Sequence, residues 1–116
     1  MSELDRLFSY YAHLIDYMLS HAEPWDTDEE SIIWARDDIA ELTKETTKEI
    51  IELDIRFLKS REKVKQLVSL IQWNATRGIL AFPDAWWANL DRLCEGSYPF
   101  DKLPNYLKDV AKQYYK

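Results

Sequence analysis

The sequence predicts an all-helical fold, a compact bundle of four to five helices with a long central helix, on three observations. Apolar residues recur every three or four positions along most of the chain, no segment alternates convincingly with period two, and helix-breaking residues are few. Only two glycines (Gly78 and Gly96) and four prolines (Pro24, Pro83, Pro99 and Pro104) occur in 116 residues, and both types are costly inside helices. A hydrophobic fraction of 47% is enough to bury a core without cross-links. No repeat, low-complexity tract or polar linker divides the chain, so residues 1–116 read as a single domain.

The first helix is expected from about Glu3 to Ala22, with Ser2 as its N-cap. Leu4, Leu7, Phe8, Tyr11, Leu14, Ile15, Met18 and Leu19 mark its apolar face, and Glu23-Pro24 ends it. A second start follows at Trp25–Glu30, where Asp26 or Thr27 can cap the free amides and acids complement the helix dipole. From there Ile32, Ala35, Ile39, Leu42, Thr46, Ile50, Leu53 and Phe57 fall on one face. Ile33, Ala40, Ile51 and Leu58 form a second stripe roughly 120° round the axis, which places this helix between neighbours at the centre of the bundle.

Val64, Leu67, Val68 and Ile71 continue that pattern almost in phase. An unbroken rod to Asn74 would be on the order of 70 Å long, whereas a compact domain of this size has a radius of gyration of about 13 Å. A turn is therefore expected where the apolar face lapses, at Lys59-Ser60-Arg61-Glu62-Lys63. A fourth helix is expected from a cap at Asp84 to a stop at Gly96, with Trp86 or Trp87, Leu90, Leu93 and Cys94 facing inward. The last helix is expected from about Asp101 to Tyr115, with Pro104 in its first turn.

Charge is polarised along this frame. The net charge is −6, and the stretch from Glu23 to Asp54 holds twelve acids against three bases, whereas from Arg61 onward nine bases outnumber six acids. Asp38, Glu41, Glu45, Glu49 and Glu52 follow one another at intervals of three or four, which puts them on one helix face. Such a stripe is either solvated and eased by Lys44 and Lys48, or a docking surface for a basic partner. The carboxylate pairs Asp38/Glu41 and Glu49/Glu52 also echo those with which all-helical nucleotide pyrophosphohydrolases hold Mg²⁺, without a second pair on a later helix to complete a site.

Five tryptophans and seven tyrosines supply the aromatic surface. Trp34 and Trp73 are expected along bundle seams. Trp86 and Trp87 diverge by about 100° on a helix, so one of them, or Trp25, is a candidate for a partly exposed binding anchor, the other reading for each being a place in the core. His13 and His21 lie eight apart, not at the spacing with which one helix face holds a metal. Cys94, the only cysteine, reads as a packed thiol, and Lys108, Lys112 and Lys116 as a solvated basic stripe.

The leading functional expectation is a small, non-enzymatic, cytoplasmic protein-binding module (an adaptor, inhibitor or immunity-type factor). It would need no cofactor or metal and would dock on a larger, basic-surfaced protein, a nucleic-acid-binding protein among the candidates. The acidic balance argues against direct binding to nucleic acid. A lone cysteine suits a reducing compartment. The N-terminus lacks signal-peptide features, and no apolar run approaches the roughly 18 residues of a membrane span. Two alternatives stand behind this reading: a self-associating subunit of a helical assembly, as a homodimer for example, and a Mg²⁺-dependent nucleotide hydrolase.

Overall fold

Seven α-helices and two 3-10 turns, with no strand, make up residues 2–20 and 30–115, which the computed structural model describes. The helices are α1 (Glu3–Ser20), α2 (Ser31–Leu42), α3 (Lys48–Lys59), α4 (Arg61–Leu70), α5 (Trp73–Ile79), α6 (Leu90–Glu95) and α7 (Asn105–Tyr114). The 3-10 turns are Trp86–Asn89 and Phe100–Lys102. Trp25, His21 and Lys116, and the caps expected at Asp26 or Thr27, lie outside the described residues. Among the described residues no helix is long and apolar enough to cross a membrane.

The helical class is as expected, but the number and lengths of the helices are not. α1 starts where Ser2 predicts it, the Asp5 amide donating to Ser2 Oγ at 3.1 Å. It buries Phe8, Tyr11, Leu14, Ile15 and Met18 and packs on α2 and α3, while α7 packs on α3 and α6 on α4. The described residues have a Cα radius of gyration of 13.3 Å.

The long central helix is instead two helices, α2 and α3, joined by an extended link. Thr43 has φ −147° and ψ 139°, and its Oγ1 accepts from the Glu45 amide at 3.1 Å. Thr47 caps α3 by accepting from the Ile50 amide at 3.3 Å. Three threonines in five positions break the rod without a glycine or proline. Their branched chains disfavour helix, and their hydroxyls offer the backbone other partners. The turn expected at Lys59–Lys63 is present at Ser60, and a second interruption at Ile71 and Gln72 separates α4 from α5.

The later helices start later than their proline signals suggest. Asn89 Nδ2 donates to the carbonyls of Pro83 and Ala85 at 2.9 and 2.8 Å, holding the chain in a tighter turn before α6. Gly96, at φ 82°, ends α6 in the left-handed conformation that glycine adopts without strain. Leu103 is extended (φ −72°, ψ 146°), as a residue before proline prefers, so α7 begins after Pro104 and not at Asp101.

The aromatic expectations also change. Trp86 and Trp87 are both buried, their rings 5.6 Å apart at 83°, so neither is left as an exposed anchor. Phe57 packs on Trp86 from α3. Trp34, expected on a seam, is 41% exposed.

Candidate functional site

The inward face of α2 carries Arg36 between Ile32 and Ile39, and that of α3 carries Asp54 between Ile50 and Phe57. Both are buried, and they meet. Arg36 Nε donates to Asp54 Oδ1 and Oδ2 at 2.9 and 3.2 Å, and Nη2 to Oδ2 at 3.2 Å. Tyr11 of α1 donates its hydroxyl to Oδ1 at 2.8 Å, and Tyr106 of α7 to Oδ2 at 2.7 Å. The guanidinium lies 4.3 Å from the centre of the Trp87 ring, a cation–π arrangement.

Burial pushes the Asp54 carboxyl above its ordinary range, with Arg36 and the two tyrosines pulling the other way. Burial works against the charge on Arg36, yet Asp54 beside it leaves its pKa raised. Burial and the neighbouring carboxylate both raise Tyr11. With no accessible surface, Asp54 cannot meet a solute in this conformation. It fastens α1, α2, α3 and α7 together.

Asp37, the next residue of α2, fastens a different segment. It is buried and accepts from the Ala81 amide at 2.8 Å, the Phe82 amide at 3.3 Å and Trp87 Nε1 at 2.9 Å. These bonds hold the apolar segment after α5 against α2 and leave Ile79 68% exposed. The result is a surface cleft of about 270 Å³ lined by Trp34, Asp37, Asp38, Glu41, Ile79 and Leu80. Burial, then the charges of Asp37 and Glu3, raise the Asp38 pKa.

The structure divides the five acids of the expected stripe. Asp38 and Glu41 line the Trp34 cleft. Glu45 sits in the α2–α3 link, on a second depression with Arg36, Phe82 and Trp87. Glu49 and Glu52 lie on α3, facing Phe8 and Ser9 of α1. The two carboxylate pairs therefore line separate depressions. Among the described residues no group of three or more His, Cys, Asp and Glu side chains is placed to hold a metal ion. All five stripe acids are exposed, and none enters an ion pair among the described residues.

Sequence reasoning missed Arg36, Asp37 and Asp54 as interior residues, and Trp34 and Ile79 as surface ones. A signal existed for two of them. Arg36 and Asp54 each follow a stripe isoleucine by four and precede an apolar stripe residue by three, so they lie on the inward face. Opposite charges at equivalent inward positions are the mark of a buried pair.

Fold and cleft together define a small all-helical domain with an acidic cleft edged by exposed apolar side chains. Comparison with protein-family models, with curated proteins and with solved structures finds no match for the chain.

Proposed function

We propose that the chain is a protein-docking module and that the Trp34 cleft receives a basic, apolar-faced segment of its partner. The observation that carries this reading is the pairing of an exposed tryptophan with acids at one cleft. Trp34 and Ile79 offer apolar surface at the rim, and Asp38 and Glu41 supply negative charge beside it. Tryptophan is among the residues that most often dominate binding energy. Exposed carboxylates that enter no ion pair among the described residues select a cationic partner and speed the encounter. A lysine or arginine side chain suits such a cleft, with its methylene stem on Trp34 and its head among the carboxylates.

The self-associating alternative rested on an apolar phase continuous from Ile32 to Ile71, and the breaks at Thr43–Thr47 and Ser60 remove that continuity. The hydrolase alternative rested on carboxylate pairs that line separate depressions.

The test is a nuclear magnetic resonance titration of the full chain with an amphipathic leucine–lysine peptide. Backbone shifts are expected to concentrate at residues 34–41 and 79–82. Trp34→Ala and Glu41→Lys are each expected to weaken binding by about tenfold, or about 1.4 kcal/mol. The weakening by added salt should be smaller for Glu41→Lys than for the wild type. Shifts that map to another face, or variants that bind as the wild type does, reject the proposal.

A further inference from the structure

On another part of the molecule a larger cavity, about 650 Å³, has the opposite electrostatic character. Arg61, the first residue of α4, faces it together with Cys94, Glu95 and Gly96 at the end of α6, Tyr98 and Phe100 beyond, and Lys112 and Tyr115 near the C-terminal end of α7. Two cations and one acid line it, in a chain whose net charge is −6. Among the described residues Arg61 Nε is buried without a hydrogen-bond partner, and the only ion pair of this guanidinium is a 3.8 Å contact with Glu62 next to it. The Arg61 side chain as a whole is 43% exposed, so its guanidinium can meet an acceptor in the cavity. Lys112 is exposed and makes no ion pair among the described residues.

The aromatic lining presents ring surface more than hydroxyls. Tyr98 donates its hydroxyl to the Asp84 carbonyl at 3.0 Å, and Tyr115 to the Leu58 carbonyl at 2.8 Å. With Phe100 these rings give the cavity an apolar wall beside its two cations. Its volume falls in the range of small-molecule sites. The geometry points to a binding site for a small aromatic anion, with its charged group on Arg61 and Lys112 and its ring against Tyr98, Phe100 and Tyr115. This site is independent of the acidic cleft and of the docking proposal.

Cys94 supplies the readout, because it is the only cysteine and lines the cavity. The folded full chain is alkylated with iodoacetamide, a neutral reagent, and the rate is followed by mass spectrometry with phenyl phosphate, phenol or inorganic phosphate present. Phenyl phosphate is expected to slow the reaction saturably, by about elevenfold at ten times its half-saturating concentration. Phenol and inorganic phosphate at the same concentration should each slow it less than about twofold. Arg61→Gln and Lys112→Gln are each expected to abolish protection while keeping the helical circular dichroism. If Arg61→Gln does not fold, Lys112→Gln decides, since that side chain is exposed. The proposal is overturned if about 10 mM phenyl phosphate gives no protection, a concentration that would detect even millimolar affinity. Equal protection by phenol or by inorganic phosphate overturns it as well, as does undiminished protection in Lys112→Gln.

Discussion

Asp54 accepts from three side chains on three different helices, so the consequence of changing it follows from which groups are left behind. Asp54→Asn keeps the shape of the side chain but removes the charge that compensates Arg36. A buried charge stripped of its partner costs about 3–5 kcal/mol, against about 1.5–3 kcal/mol for the hydrogen bond to a charged acceptor lost in Tyr106→Phe. Urea unfolding should therefore rank Asp54→Asn as the more damaging change. Equal losses would show that Arg36 keeps its charge solvated through the depression it shares with Glu45 and Thr46. The same residues mark where sequence reading stopped short. Twelve acids between Glu23 and Asp54 read as a negatively charged exterior, yet Asp37 and Asp54 are interior acceptors. Charge counting treats all carboxylates alike; Asp54 differs from Glu52 by its place between Ile50 and Phe57 on the inward face, and by the donors brought to it from distant positions.

Among the elements, α1 and the turn at Ser60 were legible because their signals are local: a serine cap, a heptad-like face and a lapse in that face. The break between α2 and α3 was not, because an in-phase apolar stripe outweighed three threonines whose effect depends on hydroxyl geometry. Thr47→Ala should cost about 1 kcal/mol, the usual contribution of an N-cap side chain. Thermal unfolding should register that as a midpoint lower by about 4 °C in a domain of this size. An unchanged midpoint would mean that the packing of α3, and not its cap, fixes where it starts. The candidate cleft was half legible. Spacing puts Asp38 and Glu41 on one helix face, while the meeting of Trp34 and Ile79 at one cleft depends on tertiary structure, including the bonds of Asp37 to the segment after α5.

For the molecule as a whole, the buried and half-buried tyrosines set an alkaline limit. Tyr11, Tyr98, Tyr106 and Tyr115 all have pKa values raised, burial being the largest cause in each. A group whose folded pKa is raised contributes stability that is fully present below its unfolded value, about 10 for tyrosine. That stability is lost as pH rises through the folded value. Helical circular dichroism should therefore hold to about pH 10 and then fall cooperatively, together with the rise in tyrosinate absorbance. Tyr115→Phe should make the transition less steep, since one fewer proton is released. Tyrosinate absorbance that rises fully while the helical signal persists would show that these rings are accessible in the native state.

The knot of hydroxyls and guanidinium around Asp54 also ties the first helix to the last, α1 to α7. Tyr11 stands 43 positions before that carboxylate and Tyr106 stands 52 after it. Neither α1 nor α7 can leave α3 without breaking a bond at the centre. Fraying, which in most small domains begins harmlessly at the extremities, is resisted here once it reaches Tyr11 or Tyr106.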